Sequence, residues 1–154
     1  MDEEMSALSK NQTWELTALS SGKQTVGCHW VYTIKYLPGG SVERLKAWLV
    51  AKGYTQTYGV DYLETFSLVA NLNSVRILLS AAVSRSWPLY QLNIKNAFLH
   101  GDLKEEVYMD QPPGYVVAGS EHLVCRLQKA LYGLKQSPHA WFDRFSAVIL
   151  GYGF

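Results

Sequence analysis

The sequence predicts an α+β fold, because helical and extended patterns alternate irregularly along its 154 residues. The clearest extended pattern surrounds residues 38–41, a Pro-Gly-Gly-Ser turn flanked by segments rich in β-branched and aromatic residues. The clearest helical pattern spans residues 73–85, where apolar side chains recur at intervals of three and four. A chain of this length can bury one ordinary hydrophobic core.

The first twenty residues predict a helix followed by a strand. Residues 2–10 have Met5 and Leu8 three positions apart and acidic residues in the first turn, which suits a short helix. Asn11 is placed to end that helix. Residues 14–19 then predict a short strand.

Two longer extended segments, residues 26–37 and 42–54, predict the strands of a β-hairpin around the 38–41 turn. Large apolar residues alternate along part of the first strand. Four basic residues would decorate the hairpin. Taken alone, such a set is more often a solvated polar face than a phosphate-binding surface. The basic residues are Lys35, Arg44, Lys46 and Lys52.

The remaining elements alternate between helix and strand. The helix over residues 73–85 has Asn73 or Ser74 as its expected N-cap, and Pro88 prevents it from continuing. Residue 137 is expected to cap a last helix over residues 137–150, with proline as its first residue. Short apolar strands are predicted over residues 89–94, 107–109 and 123–127.

Composition limits the function classes. A hydrophobic content of 48% with 18% charged residues argues against disorder. The net charge is only +1, from 14 basic and 13 acidic residues, whereas strong nucleic-acid binders usually carry a clearer basic excess. Any binding of nucleic acid is therefore expected to be weak and strongly dependent on salt.

Cysteine and histidine spacings predict neither a disulfide nor a zinc site. Cys28 and Cys125 lie far apart and are expected to be reduced, buried thiols. No apolar run reaches the length of a membrane span, and the acidic N-terminus lacks the features of a signal peptide. The sequence thus predicts an intracellular protein of cytoplasm or nucleus, not secreted and without a membrane partner.

The most informative segment, residues 90–101, reads YQLNIKNAFLHG. Asn93 ends an apolar stretch, and Phe98 follows five positions later. Asparagine is also common in ordinary turns. The segment nevertheless resembles the first catalytic motif of copia-type retrotransposon reverse transcriptases, in which an aspartate stands where this chain has Asn93. In the family, that aspartate holds the two Mg²⁺ ions of nucleotide addition, and a neutral amide is a weaker ligand for Mg²⁺.

Further segments resemble the same family, in the same order and at compatible spacings over essentially the whole chain. Some correspond to the fingers strands and others to the motif that supports the template and the incoming nucleotide. They are MSAL at 5–8, NQTW at 11–14, GCHWVY at 27–32, LVAKGYTQ at 49–56, VDY at 60–62, ETFS at 64–67, LYGLKQSP at 131–138 and GYGF at 151–154.

The departures from the family pattern fall where its chemistry needs particular residues. Trp48 replaces an arginine expected to grip the triphosphate, and tryptophan carries no charge and one donor. Leu63 and Leu68 replace an aspartate and a proline. The Tyr-x-Asp-Asp turn that supplies the remaining carboxylates in the family normally follows the last helix, and residue 154 comes before it.

Other titratable residues do not suggest a replacement metal site. Four acids follow position 93, but in the family this stretch is a loop and a strand beside the palm, where such charges are solvated. Two histidines similarly resemble surface or capping residues. The residues are Asp102, Glu105, Glu106 and Asp110, together with His100 and His139.

The resemblance implies a fragment of a right-hand polymerase, with reverse transcriptase fingers over residues 1–88 and the start of the palm over residues 89–154. Its ancestral reaction is templated addition of deoxynucleotides, with Mg²⁺ as cofactor and template–primer as partner. Phe98 would press on the sugar of the nucleotide. Two further sets would line the site: Tyr132, Gly133 and Gln136 toward nucleotide and template, and Lys35, Lys46 and Lys52 toward phosphates.

With Asn93 in the metal position and Trp48 in the triphosphate position, the expected state is a catalytically inactive reverse transcriptase fragment. Two alternatives stay open: a non-catalytic module that binds nucleic acid, and a translated relic without function. The strand over residues 89–94 would expose a sheet edge if it lacked its neighbours, so self-association through that edge is also expected.

Overall fold

A computed structural model describes residues 1–65 and 70–153 and has the predicted mixed α and β content. Four residues of the family resemblance lie outside the described residues: Phe66, Ser67, Leu68 and Phe154. In chain order the helices and strands are α1 Asp2–Lys10, β1 Trp14–Thr17, β2 Thr25–Val26, β3 Cys28–Tyr36, β4 Val42–Ala51, α2 Leu72–Ser84, β5 Asp102–Met109, β6 Val124–Lys129 and α3 Ser137–Gly151.

A four-stranded sheet in the order β1-β6-β5-β2 joins strands from either side of residue 88. β6 is antiparallel to both β1 and β5, whereas β2 runs parallel to β5. Apolar side chains from this sheet, from α1 and from the base of the hairpin form one core. Its fully buried members include Leu8, Leu49, Leu99, Met109, Cys125 and Leu131.

The predicted β-hairpin is confirmed as the antiparallel pair β3–β4. At its tip, the Leu37 backbone N–H donates to the Ser41 carbonyl at 2.9 Å, and Gly40 has a φ of +84°, which favours glycine. The first predicted strand is divided at Gly27, because β2 pairs with β5 and β3 pairs with β4. The second ends at Ala51 and is followed by a 3-10 turn over Gly53–Thr55.

Helix α1 is confirmed with its predicted bounds, and Asn11 ends it. The predicted caps of the other two helices were wrong by one to three residues. Asn71 caps α2, since its Oδ1 accepts from the Asn73 backbone N–H at 2.9 Å. Gln136 precedes α3, and the Ser137 hydroxyl instead donates to the Leu131 carbonyl at 2.6 Å.

Most of the apolar surface of α2 is exposed. Of the described residues in this helix, only Ala82 is buried, although the sequence spacing suggested an apolar face for the core. The exposed apolar side chains are Leu72, Val75, Ile77, Leu78, Leu79 and Val83. Helices in the described ranges are too short or too polar to cross a membrane.

The strand predicted over residues 89–94 is not formed. Residues 89–94 adopt no regular structure, and Leu89 and Leu92 are exposed. A strand is stable only when its backbone groups pair with a neighbour, and no strand in residues 1–65 or 70–153 lies beside this segment. The chain returns to ordered structure in a 3-10 turn, Ala97–His100, after Asn96 adopts a left-handed conformation with φ of +54°.

Candidate nucleic-acid interface

Three cationic side chains lie on one face of the hairpin, which we call the basic face. Opposite residues of an antiparallel pair place their side chains on the same face, and alternate residues of a strand do likewise. In this register Lys35 is opposite Arg44, Thr33 is opposite Lys46, and Val31 is opposite Trp48. The basic face is therefore formed by Lys35, Arg44, Lys46, Trp48, Val31 and Thr33.

The basic face combines three cationic side chains with an aromatic ring. Lys35 and Arg44 are directly opposite each other, an arrangement that destabilises a sheet unless an anion lies nearby. The nearest carboxylate to Arg44 is that of Glu43, at 4.0 Å. The Lys46 Nζ lies 4.7 Å from the centroid of the Trp48 ring, within the range of a cation–π contact. Phosphate and base would both find suitable partners here.

The free edge of β4, which faces away from β3, contacts groups from distant parts of the chain. The Ala51 backbone N–H donates to the Tyr132 carbonyl at 2.7 Å. Two residues earlier, the Leu49 amide faces the carboxylate of Glu4 from α1. The Tyr132 ring packs edge-on against Phe98, with centroids 4.9 Å apart. The structure thus brings Phe98 and Tyr132, two of the predicted site residues, to the base of the hairpin.

Glu4 is an acid held inside the protein. Its side chain is only 7% exposed, and its Oε1 atom has no hydrogen-bond partner among the described residues. Burial raises the pKa of Glu4, while the nearby Lys46 charge and the Leu49 amide oppose that rise. Burial similarly raises the pKa of the Tyr132 hydroxyl, with a smaller contribution from Glu4. Burial and neighbouring charges therefore both affect the pKa values of Glu4 and Tyr132 at this edge.

Two glycines permit the close approach that forms the hairpin base. A Cβ added to Gly133 would lie 2.1 Å from the Ala51 carbonyl oxygen and 2.8 Å from the Val50 Cγ1 atom. A Cβ on Gly53 would lie 2.1 Å from the Gly133 carbonyl oxygen. Gly133 also has a φ of +92°, where other residues are strained. The backbone of residues 131–134 therefore packs directly on the end of β4.

Gln136 is buried, at 2% exposure, and its amide is used within the protein. Gln56 Nε2 donates to Gln136 Oε1 at 3.1 Å, and Gln136 Nε2 donates to the Asp61 carbonyl at 3.3 Å. Gln56 Oε1 in turn accepts from the Lys135 backbone N–H at 3.0 Å. These bonds tie the segment after β4 to the start of α3.

The remaining predicted site residues lie apart from this cluster. Asn93 is exposed within the irregular segment 89–94. Lys52 lies just beyond β4, with its aliphatic chain along Gly27, whose added Cβ would be 3.1 Å from Lys52 Cδ. Lys35 lies on the basic face but near the hairpin tip, away from Tyr132.

Two of the acids that follow position 93, Asp102 and Glu106, take part in surface ion pairs. Asp102 pairs with Lys129, and Glu106 lies 3.5 Å from Lys23 while accepting from the Tyr108 hydroxyl at 2.7 Å. The His139 ring lies between two carboxylates, 3.8 Å from Glu64 and 3.7 Å from Asp143. The His100 ring lies 3.3 Å from the Lys95 carbonyl. These contacts place the two acids and the two histidines in surface interactions within the protein.

The reverse transcriptase (RNA-dependent DNA polymerase) family matches residues 11–154 of this chain, and the protein belongs to that family. The Retrovirus-related Pol polyproteins from transposons RE1 and RE2 of Arabidopsis thaliana are each 50% identical over 155 residues, covering 100% of this chain and 11% of the polyprotein. The corresponding polyprotein from transposon TNT 1-94 of Nicotiana tabacum is 48% identical over 149 residues, covering 97% of this chain and 11% of its own length.

These matches confirm the resemblance to copia-type retrotransposon reverse transcriptases. The chain spans about a tenth of the length of the curated relatives it matches. No solved structure matches it.

The family generally uses Mg²⁺, but the donors present do not suit a two-metal site. Asn93 offers a neutral amide oxygen where Mg²⁺ favours charged carboxylates. In the two described ranges, no group of three or more His, Cys, Asp or Glu residues is arranged to hold a metal ion. What the hairpin offers instead is a row of cationic side chains beside an aromatic ring.

Sequence reasoning did not identify Glu4 or Gln56 as part of this region. Glu4 looked like one of three acids that complement the helix dipole, and nothing local distinguishes a buried acid from its exposed neighbours. Gln56 lies within the LVAKGYTQ segment, which carried a family resemblance but no assigned role. The hydrogen bond between Gln56 and Gln136 spans 80 residues, which explains why neither local pattern indicated it.

Proposed function

We propose that this chain binds the backbone of nucleic acids through the basic face of the hairpin and does not catalyse nucleotide addition. The observation that carries the proposal is the alignment of Lys35, Arg44 and Lys46 on one strand-pair face beside the Trp48 ring. Cations in this arrangement attract phosphates, and an adjacent aromatic ring can stack with any base. Sequence preference should be nearly absent, because phosphate contacts carry no base information.

Binding is tested by fluorescence anisotropy with a labelled single strand and with a primer–template duplex over a salt series. Three phosphate contacts on a single strand predict a slope of about −2 for log affinity against log salt, or about twentyfold weaker binding from roughly 50 to 200 mM. Lys35→Gln and Lys46→Gln should each reduce the steepness by about 0.7.

The matched control is Arg76→Gln on the exposed helix α2, which removes the same charge away from the basic face. If Lys46→Gln and Arg76→Gln weaken binding equally, the hairpin is not the interface. Binding that ignores salt, or that is absent at low salt, would leave the interpretation of a relic without function.

Loss of catalysis is the second part of the proposal, and Asn93 and Trp48 support it. A neutral amide in the metal position and an uncharged ring in the triphosphate position remove electrostatic stabilisation that phosphoryl transfer requires. The chain should incorporate no labelled deoxynucleotide above a no-enzyme control with Mg²⁺ or Mn²⁺. Incorporation that Asn93→Ala abolishes would refute this.

A complementary experiment places the substitutions in a longer protein. The matching segment of the tobacco relative is replaced by this chain, with and without Asn93→Asp and Trp48→Arg, and the unmodified relative is the positive control. We expect incorporation only when both positions are restored. Incorporation by the exchanged protein with Asn93 intact would show that the amide suffices.

We also propose self-association, through exposed apolar surface rather than through the predicted sheet edge, because residues 89–94 form no strand. Leu89 and Leu92 in the irregular segment are exposed, and so are the apolar side chains of α2. Sedimentation velocity over a range of protein concentrations should show self-association. The associated fraction should be small at low salt and should increase in sulfate, which strengthens apolar burial. A single monomeric species at all concentrations would contradict it.

A further inference from the structure

The acidic first turn of α1 borders the basic face. Glu3 Oε1 lies 3.5 Å from the Nζ atom of Lys95, and Glu4 lies close enough to Lys46 for their charges to interact. These four residues line a cavity of about 80 Å³ between α1, the edge of β4 and the segment that carries Lys95. Two carboxylates therefore lie beside two lysines at one end of the proposed interface.

Helix α1 is fixed in this position by contacts at its start. The Tyr32 hydroxyl donates to the Met1 Sδ atom at 3.4 Å, which joins the helix to β3. The Tyr115 hydroxyl donates to the Asp2 carboxylate. The chain thus holds a local anion against its own cations without help from a ligand.

The two carboxylates differ in how easily a competing anion could replace them. Glu3 and Lys95 are 82% and 78% exposed, and surface ion pairs of this kind contribute little to stability. Glu4, in contrast, is buried and cannot leave unless α1 moves. A phosphate could therefore displace Glu3 from Lys95 at small cost, whereas Glu4 would continue to repel it.

We propose that Lys95 is a further phosphate contact and that the acidic turn of α1 competes with nucleic acid for Lys95 and Lys46. The chain would then carry an internal anion that weakens its own binding of polyanions. This inference rests on the proposed nucleic-acid binding and adds a residue and a regulatory contact to it.

The test compares Glu3→Gln with Glu121→Gln in the anisotropy assay at about 50 mM salt. Both substitutions remove one negative charge from an exposed glutamate, but Glu121 accepts its hydrogen bond from the Gly119 backbone and lies on another loop. Releasing one lysine to a single-stranded phosphate should tighten binding by about fivefold and steepen the salt slope by about 0.7. Glu121→Gln should give a much smaller gain and leave the slope unchanged.

A double-mutant cycle assigns the effect to the pair. Lys95→Gln should weaken binding, and the gain from Glu3→Gln should disappear in the Lys95→Gln background. Circular dichroism confirms that each variant keeps the parent secondary structure. Equal gains from Glu3→Gln and Glu121→Gln, or a gain that persists without Lys95, would overturn the inference while the proposed binding stands. Absence of binding by parent and variants alike would overturn the proposed function and this inference together.

Discussion

The contact between residues 131–134 and the end of β4 makes a quantitative prediction about Gly133. Gly133→Ala adds a methyl group that would lie 2.1 Å from the Ala51 carbonyl oxygen, and it does so at a φ of +92°. The left-handed conformation costs a non-glycine residue about 1–2 kcal/mol, and overpacking costs about 1–3 kcal/mol, so the free energy of unfolding should fall by about 2–5 kcal/mol.

Two other glycines separate these contributions. Gly22 has a φ of +79° with nothing within 4 Å of an added Cβ, so Gly22→Ala tests the backbone conformation alone. Gly101 has a φ of −79°, but an added Cβ would lie 2.7 Å from the Ala140 carbonyl carbon, so Gly101→Ala tests the contact alone. The predicted losses are about 1–2 kcal/mol for Gly22→Ala and about 1–3 kcal/mol for Gly101→Ala.

Urea unfolding followed by circular dichroism measures the three losses in one set of experiments, with the slope against urea checking that the transition stays two-state. Gly133→Ala should shift the midpoint by about the sum of the other two shifts, because it combines both effects. A Gly133→Ala midpoint equal to that of Gly22→Ala would show that the backbones do not approach as described, and the reasoning about the hairpin base would fail.

Three further predictions concern buried and exposed groups. Burial raises the pKa of Cys28 to about 11 and that of Cys125 to about 12, so both thiols should react with a disulfide reagent at pH 8 only after unfolding in urea; rapid reaction of the folded chain would contradict this. Because burial raises the pKa of Glu4, the folded state binds its proton more tightly than the unfolded chain, and stability should rise as pH falls through that raised pKa. Glu4→Gln should therefore be more stable than the parent at neutral pH and lose that advantage in acid, as thermal unfolding at several pH values would establish. Leu78→Lys on α2 should reduce the fluorescence of a bound apolar dye and shift sedimentation toward the monomer, and unchanged values would exclude α2 as the exposed apolar surface.

The parts of the fold that sequence could predict are those specified by nearby residues. The hairpin follows from two extended segments around a turn whose Gly40 accepts a positive φ, and α1 follows from its spacing and from Asn11. The strand over residues 89–94 could not be judged from its own pattern, because an apolar segment becomes a strand only when another strand is beside it. The same limit applies to α2, whose spacing indicates an apolar face but not what covers it.

The candidate site was predictable where the family resemblance named residues. It was not predictable where it depends on contacts between segments that are distant in sequence. Phe98 and Tyr132 were identified from separate motifs, and the structure places their rings 4.9 Å apart. The burial of Glu4 against β4 depends on where α1 packs, which no pattern within residues 2–10 specifies. The register that aligns Lys35 with Arg44 required the pairing of two strands to be known.

Contacts along the free edge of β4 differ between the base and the tip of the hairpin, and hydrogen exchange should differ in the same way. Amide protons at Leu49 and Ala51, which have partners at this edge, should exchange with deuterated water only in rare large openings. The amide of Leu45 points the same way by strand alternation, but its residue is 77% exposed, and its proton should exchange through small local fluctuations. The base of the hairpin should therefore be more rigid than its tip. The tip can therefore move while the core beneath the base keeps its packing.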